Sequence, residues 1–237
     1  MSPVPAQVDS AVLPVPVGWL HTTGLVHLDG LATRRSVLEC ASRIMRIALH
    51  PDSDADGLTV IRDTGHHADQ AGCTGLTSAE VLPHTERSGT LMPPRLMMLV
   101  CHRPATRGGE CLLADGWTVR DDLAAHHPDA LAALSAPRSA YFGGADGHLG
   151  AVFGTRPDGR PELRLRWDSL VRFSPLVQPY LRVLRAVIAR HQQVRHLRPG
   201  EGYLLDNTRW LHARTAFDGP RVCYRALGEP KAPSQGR

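Results

Sequence analysis

Histidines and acidic residues at short spacing are the feature of this sequence most able to support chemistry. A histidine followed two positions later by Asp or Glu is the short signature of an iron site with two histidine ligands and one carboxylate. Such pairs among the 13 histidines of the 237-residue chain include His50 and Asp52, His67 and Asp69, His84 and Glu86, and His127 and Asp129. About one pair is expected by chance, so the motif alone assigns no metal site.

Local context separates the four pairs. The first and the last contain a proline and lie in a turn and at a helix start, where the acid caps backbone amides. His67 and Asp69 lie in a polar, glycine-containing loop, 63–80, which is long enough to be an active-site lid. His84 and Glu86 lie on a predicted strand, where a spacing of two points both side chains to one face. This pair is therefore the one that favours a shared metal ion.

The third ligand must come from elsewhere in the chain, and His212 is the best candidate. If Asp218–Gly219 form the turn of a C-terminal hairpin, His212 faces Arg225 and Ala216 faces Arg221 across the two strands. That register brings two guanidinium groups beside a metal-binding histidine. A fixed cation at such a site is suited to the far carboxylate of a bound oxo-acid.

The elements that must position these residues follow from hydrophobic spacing and turn residues. Helices are predicted over 33–48, 119–125 and 129–134, and from Ser174 onward with Pro175 in the first turn. Strands are predicted over 58–62, 81–86, 95–103 and 203–207, and a hairpin turn over 156–161 leads into a strand over 162–167. The C-terminal part is therefore expected to be antiparallel and rich in β-structure.

Composition places the chain among globular proteins, because 42% of its residues are hydrophobic and 21% are charged. We expect a proline-rich lead over 1–19, a single domain over 20–228 and a flexible C-terminal tail over 229–237. The net charge of +4 is spread along the chain, which argues against a nucleic-acid partner. No stretch has the length of a membrane span, and no basic segment of a signal peptide is present.

The cysteines indicate neither a zinc ribbon nor a disulfide framework. They are odd in number, widely spaced and include no Cys-x-x-Cys: Cys40, Cys73, Cys101, Cys111 and Cys223. A reducing cytoplasm is the location that fits this pattern best.

Five ordered segments carry a family resemblance. They are HTE at 84–86, PPRLMMLVC at 93–101, RGGECLLADG at 107–116, GYLLDNTRWLHARTAF at 202–217 and RVCYR at 221–225. Together they resemble the iron(II)/2-oxoglutarate dioxygenases of the taurine dioxygenase and clavaminate synthase superfamily, over roughly residues 20 to 228. The fold that this resemblance implies is a double-stranded β-helix, or jelly roll, with helices packed outside.

The resemblance also implies roles for individual residues. His84, Glu86 and His212 are the implied iron(II) ligands, Arg225 binds the distal carboxylate of 2-oxoglutarate and Arg221 helps at its other end. Dioxygen is the second cosubstrate, and the reaction implied is hydroxylation, desaturation or ring closure of a small molecule. Cys111 departs from the family pattern, because relatives usually have there a threonine that hydrogen-bonds the cosubstrate, and a thiol is a weaker donor.

Three other hypotheses compete with this assignment. The chain could be a cupin-like metal enzyme that does not use 2-oxoglutarate, which would leave Arg221 and Arg225 unexplained. It could be a non-catalytic binding protein that retains the fold, with Cys111 as a sign of decay. A cysteine nucleophile ranks last, because no Cys–His arrangement is identifiable. The substrate walls are expected in the loop 63–80 and in 143–167, where Arg164 and Arg166 could meet an anionic group.

Overall fold

The structure is a computed structural model that describes residues 7–8, 18, 22–66, 70–156 and 159–231. Its helices are α1 Arg34–Ile44, α2 Gly116–His126, α3 Pro128–Ser135 and α4 Leu181–Arg190, with short 3-10 helices at Thr74–Leu76 and Gln178–Tyr180. Its first nine strands are β1 Gln7–Val8, β2 Leu25–Leu28, β3 Met45–Ile47, β4 Thr59–Ile61, β5 Val81–His84, β6 Leu96–Arg103, β7 Arg107–Gly108, β8 Cys111–Asp115 and β9 Ala140–Phe142. The other nine are β10 His148–Gly150, β11 Phe153–Thr155, β12 Pro161–Leu163, β13 Val171–Phe173, β14 Gln193–Arg195, β15 Gly202–Asp206, β16 Trp210–Arg214, β17 Phe217–Asp218 and β18 Val222–Pro230.

Two sheets form the double-stranded β-helix that the resemblance implied. The larger sheet has seven strands in the order β1-β2-β15-β6-β18-β3, with β4 also paired to β18, and the smaller sheet has the order β14-β8-β16-β5. A buried apolar cluster joins them, with Met97 and Leu99 from the larger sheet and Leu113 from the smaller one. The fold class predicted from the sequence is therefore confirmed.

The central strand β6 shows why the sequence builds this layered core. Residues 96–101 are a continuous apolar run that is fully buried, which is typical of a strand covered on both faces. Met97 and Leu99 face the interior between the sheets, whereas Leu96 and Met98 face the layer that contains α1. Alternate side chains of β6 therefore pack into two separate hydrophobic layers, one on each face of the sheet.

Helix α1 covers the outer face of the larger sheet. The Thr33 hydroxyl caps it by accepting a hydrogen bond from the Ser36 amide, and the Ser36 hydroxyl accepts one from the Thr33 amide. The predicted helix over 33–48 is too long by one turn. Residues 45–47 form β3 instead and pair with the end of β18, because pairing satisfies their backbone groups at the sheet edge.

The remaining helices cover the outer face of the smaller sheet, where residues of α2, α3 and α4 join one buried cluster. The predicted helices over 119–125 and 129–134 are confirmed and extend by a few residues. The last helix begins later than predicted, at Leu181 instead of near Ser174. A regular helix begun at Ser174 would need a backbone N–H at position 179, which Pro179 lacks. The segment before Leu181 therefore forms a turn and then the 3-10 helix Gln178–Tyr180.

The predicted C-terminal hairpin is wrong. Strand β16, which carries His212, lies in the smaller sheet, and β18, which carries Arg225, lies in the larger one. His212 pairs with His84 and Leu113. The chain crosses between the sheets over residues 215–221, where β17 pairs with β7 instead of extending a hairpin.

Other boundaries differ from prediction by only a few residues. The hairpin of β11 and β12 is present, and Asp158 of its predicted turn lies outside the described residues. Strand β18 extends to Pro230, two residues beyond the predicted domain end at 228. None of the helices in the described part of the chain combines the length and the apolarity that crossing a bilayer requires.

Candidate metal centre

His84 and Glu86 lie where the edge strand β5 of the smaller sheet ends. The strand stops at His84, so Glu86 occupies the turn that follows it and not the strand predicted over 81–86. The chain bends sharply at this point, because Arg87 has a left-handed backbone with φ of 55°. The two side chains nevertheless converge, since the backbone of each is fixed by contacts to neighbouring segments.

His212 enters the same site from the adjacent strand. It pairs directly with His84 across β16 and β5, and the two ring centroids are 4.1 Å apart. His212 Nε2 lies 3.4 Å from Glu86 Oε1. The candidate ligand atoms of the three residues all lie within 4.8 Å of one another, close to the separation of about 3 to 4 Å between ligands of one ion.

Hydrogen bonding leaves one nitrogen of His84 available to a metal. The Nδ1 atom of His84 lies 2.9 Å from the Leu82 carbonyl, to which it donates. The neutral ring therefore carries its free lone pair on Nε2. Burial, and then the nearby His212, lower the pKa of His84 to about 4, so the ring is neutral at pH 7. In this tautomer, His84 meets the requirement of a nitrogen ligand.

Glu86 supplies a charged oxygen donor. The side chain is buried, and burial opposes its ionisation, but the charge of Arg225 and the hydrogen bond to His212 outweigh this effect. The pKa of Glu86 therefore lies well below its usual value. Two imidazoles and one carboxylate are the donor set of non-haem iron(II) sites, and these three residues fit such an ion.

Asn207 fixes the backbone of Glu86. This fully buried side chain accepts a hydrogen bond from the Glu86 amide at 2.7 Å and donates to the Glu86 carbonyl at 3.0 Å. It also donates to the Pro94 carbonyl at 2.8 Å. Asn207 thus positions a residue of the candidate metal centre, and its contacts lie too far apart in the sequence for a local pattern to reveal them.

Arg225 lies beside the candidate metal ligands. Its Nη1 donates to Glu86 Oε1 at 2.7 Å, and both side chains are about nine-tenths buried, with exposures of 12% and 9%. Arg221 lies elsewhere, where its Nη2 is 3.7 Å from the Cys111 sulfur. The two arginines therefore lie apart, Arg225 beside the candidate metal ligands and Arg221 beside Cys111.

Arg221 is a buried cation without an acidic partner among the described residues. It is 5% exposed and its neighbours are Cys111, Phe217, Tyr203 and Cys223. Burial raises the pKa of Cys111 to about 11, so its thiol is neutral at pH 7. An unpaired buried charge is costly, which makes this end of the site suited to an anion.

Two cavities meet at the candidate ligands. A large cavity of 550 Å³ and a small one of 70 Å³ are both lined by His84, Glu86 and Arg225. Arg221 and Cys111 line only the small cavity. One metal ion held by the three ligands would therefore face both spaces at once.

Of Arg164 and Arg166, only Arg166 lines the large cavity, and both arginines already have partners. Arg166 makes two bonds to Asp168 and one to the Gly143 carbonyl, and Arg164 donates to backbone carbonyls of residues 88–91. The guanidinium groups of both arginines therefore stabilise neighbouring loops and are not free to bind an anionic group.

The predicted lid, 63–80, forms the other wall. Its glutamine, cysteine and glycine residues between 70 and 76 line the large cavity, while His67 and Asp69 lie outside the described residues. The guanidinium of Arg214, on β16, fixes this segment by donating hydrogen bonds to the Gly75, Thr77 and Ala79 carbonyls. Nothing in the sequence pattern singled out Arg214, because its partners are backbone atoms more than 130 residues away.

The other sequence candidates occupy the places expected of them. His50 and Asp52 lie in a turn that lines the large cavity. Pro128 occupies the first turn of α3, and Asp129 follows it, at the predicted helix start. All five cysteines are free thiols, in agreement with the absence of a disulfide framework.

Comparisons with known proteins give one family match and several structures of the same fold. The chain matches the family described as "Taurine catabolism dioxygenase TauD, TfdA family" over residues 5–227. An asparagine oxygenase structure in complex with Fe(II), 2S,3S-3-hydroxyasparagine and succinate is 18% identical, with a TM-score of 0.71, over 89% of this chain and 76% of that chain.

Two further solved structures share the fold. The non-haem iron oxygenase OrfP, in complex with Fe, succinate and (3S)-hydroxy-L-Arg, is 13% identical with a TM-score of 0.67, over 88% of this chain and 76% of that chain. The PvcB protein from Pseudomonas aeruginosa is 17% identical with a TM-score of 0.67, over 89% of this chain and 77% of that chain. At these identities, the likeness establishes the common architecture.

Proposed function

The chain belongs to the TauD/TfdA family of iron(II)- and 2-oxoglutarate-dependent dioxygenases, and on that premise we propose that His84, Glu86 and His212 hold the iron(II). The observation that carries this proposal is the convergence of the three ligand atoms within 4.8 Å, at the place where two cavities meet. Iron(II) bound there would supply the activation of dioxygen that couples oxidation of 2-oxoglutarate to succinate and carbon dioxide with oxidation of a C–H bond.

The residues of the chain prepare this site in defined ways. The Leu82 carbonyl selects the tautomer of His84, Arg225 and His212 keep Glu86 ionised, and Asn207 fixes the backbone that carries Glu86. Three protein ligands leave further positions of the ion open for a bidentate oxo-acid and for dioxygen. The protein therefore supplies placement, charge balance and exclusion of water.

The small cavity is the proposed place of 2-oxoglutarate. Its oxo-acid end would face the metal ligands, and its distal carboxylate would meet Arg221, whose guanidinium is buried and has no acidic partner in the described part of the chain. Cys111 contacts the same guanidinium. We therefore assign the distal carboxylate to Arg221 and not to Arg225, on the strength of where each arginine lies.

The large cavity is the proposed place of the substrate. Its 550 Å³ suit a small polar molecule such as an amino acid or an intermediate of specialised metabolism. Arg225 reaches this cavity next to the metal ligands, where it can meet an acidic group of the substrate. The solved structures with hydroxyasparagine and hydroxyarginine support an amino acid, and hydroxylation is the outcome that we propose.

Substrate-stimulated release of succinate tests the assignment. The Fe(II)-loaded protein is incubated with 2-oxoglutarate and dioxygen, alone and with each of the twenty proteinogenic L-amino acids and related pathway intermediates. We expect one or a few compounds to raise succinate release and to gain one oxygen atom by mass. A protein that turns over such a compound without 2-oxoglutarate would be a cupin-like enzyme, and one that binds no iron would be a binding protein.

A further inference from the structure

Arg225 depends on a candidate metal ligand for its charge balance. Glu86 is its only acidic partner among the described residues, at 2.7 Å, and its guanidinium is 12% exposed. The Nε atom is buried without a hydrogen-bond partner. Its cross-strand neighbours, Leu99 and Thr59, carry no charge. Whatever takes Glu86 away from Arg225 leaves a buried cation unpaired.

A divalent metal ion would need the same carboxylate oxygen. Glu86 Oε1, which accepts from Arg225, is also the oxygen that lies 3.4 Å from His212 Nε2 and so faces the other ligands. An ion held by this group would place a double positive charge within a few ångströms of the guanidinium. Like charges at such a distance repel strongly in a partly buried site.

If Arg225 only oriented a metal ligand, its loss would weaken metal binding, typically by about 10- to 100-fold. If it competes with the metal for Glu86, its loss should strengthen metal binding. The Glu86 backbone does not need Arg225 for its orientation. Asn207 already fixes it with two hydrogen bonds, of 2.7 Å and 3.0 Å. What Arg225 adds to Glu86 is therefore mainly a competing positive charge.

We infer that Arg225 is a positioning residue that competes with the metal for Glu86 and so couples metal loading to the arrival of an organic carboxylate. Arg225 and Glu86 balance each other's charge through their ion pair. When a metal takes Glu86, the guanidinium becomes available to an anionic group in the adjoining cavity, and that group in turn removes the competition. This inference rests on the proposed metal site and concerns how the site is filled.

Titration with Mn(II) alone, without 2-oxoglutarate, tests the competition. Calorimetry compares the wild-type protein with Arg225→Gln, which removes the charge, and Arg225→Lys, which retains it. We expect Arg225→Gln to bind Mn(II) at least about tenfold more tightly and Arg225→Lys to stay close to wild type. Arg95→Gln, which breaks a separate pair with Asp206 at 3.2 Å, is the matched control and should bind Mn(II) as wild type does.

The outcomes distinguish this inference from the metal site itself. If the wild type binds Mn(II) but Arg225→Gln binds it equally or less tightly, the competition is refuted while the metal site stands. If the wild type binds no Mn(II), the metal site fails, and the inference fails with it.

A thermal measurement guards against misfolding of the variant. Arg225→Gln leaves Glu86 buried and unpaired, so the metal-free variant should melt at a lower temperature than wild type. Mn(II) should then raise its melting temperature by more than it raises that of wild type. A smaller rise in the variant would indicate structural damage and would overturn the proposal.

Discussion

The amide side chain of Asn207 forms two hydrogen bonds with the main chain of Glu86, which lies 121 residues earlier in the sequence. It accepts from the Glu86 N–H at 2.7 Å and donates to the Glu86 carbonyl at 3.0 Å. Both backbone groups lie beyond the end of β5, where no neighbouring strand can pair with them. The turn that presents the carboxylate is therefore held by one buried side chain from the segment before β16.

Asn207→Ala should destabilise the fold. It removes three hydrogen bonds and leaves the buried Glu86 N–H unsatisfied, so we expect the free energy of unfolding to fall by about 2 to 4 kcal/mol. Asn207→Asp can still accept from that N–H but cannot donate to the Glu86 carbonyl. Urea denaturation of both variants measures the effect. An alanine variant as stable as wild type would show that the hydrogen bonds of Asn207 do not stabilise the fold.

Glu86→Ala should abolish substrate-stimulated succinate release, because it removes the only anionic ligand among the three. Mn(II) binding, measured by calorimetry, should weaken in parallel. Glu39→Ala is a suitable control, since Glu39 lies on α1 and pairs with Arg35 on the surface. Retention of succinate release by Glu86→Ala would count directly against the assigned metal site.

Arg221→Ala should raise the 2-oxoglutarate requirement more than any other arginine variant of the site. Loss of a charge-assisted contact to a carboxylate costs about 2 to 4 kcal/mol, or about 30- to 1000-fold in affinity. Titration of 2-oxoglutarate into the Fe(II)-loaded protein under nitrogen measures it. Arg190→Ala, at an exposed residue of α4, is the control. A larger loss in Arg225→Ala than in Arg221→Ala would restore the order that the sequence resemblance implied.

Cys111→Thr should tighten 2-oxoglutarate binding and leave iron binding unchanged. A hydroxyl gives a stronger hydrogen bond to a charged acceptor than a thiol does, so we expect a gain of at most about 10- to 100-fold. Titration of 2-oxoglutarate into both Fe(II)-loaded proteins measures the ratio of affinities. Unchanged or weaker binding would mean that Cys111 does not face the cosubstrate.

The same comparison has a defined pH dependence. Burial raises the pKa of Cys111 to about 11, so the thiol stays protonated at neutral and mildly alkaline pH. The affinity ratio between Cys111→Thr and wild type should therefore be constant from about pH 6 to 9. Only near and above pH 11 would a thiolate repel the carboxylate and widen the ratio. A ratio that rises between pH 7 and 9 would show that the thiol ionises earlier.

Much of the fold follows from local sequence patterns. The strand predicted over 95–103 and the start of the helix predicted from residue 33 both match the structure, because hydrophobic spacing depends on neighbouring residues. The proximity of His84 and Glu86 is also local, since two positions cannot lie far apart. The choice of this pair rested on a shared strand face, but Glu86 lies in the turn after β5, so its convergence with His84 depends on contacts that the local pattern does not show.

Only the tertiary structure decided which segments meet around that pair. A period-two pattern assigns a face to each side chain but does not name the partner strand, so the sequence favoured a hairpin of β16 and β18 that the two sheets do not form. Strand pairing placed His212 beside His84, and the approach of the larger sheet brought Arg225 to Glu86. The segment before β16 brought Asn207 to the Glu86 backbone. These contacts join residues more than 120 positions apart, and their partners are fixed by the closing of the two sheets.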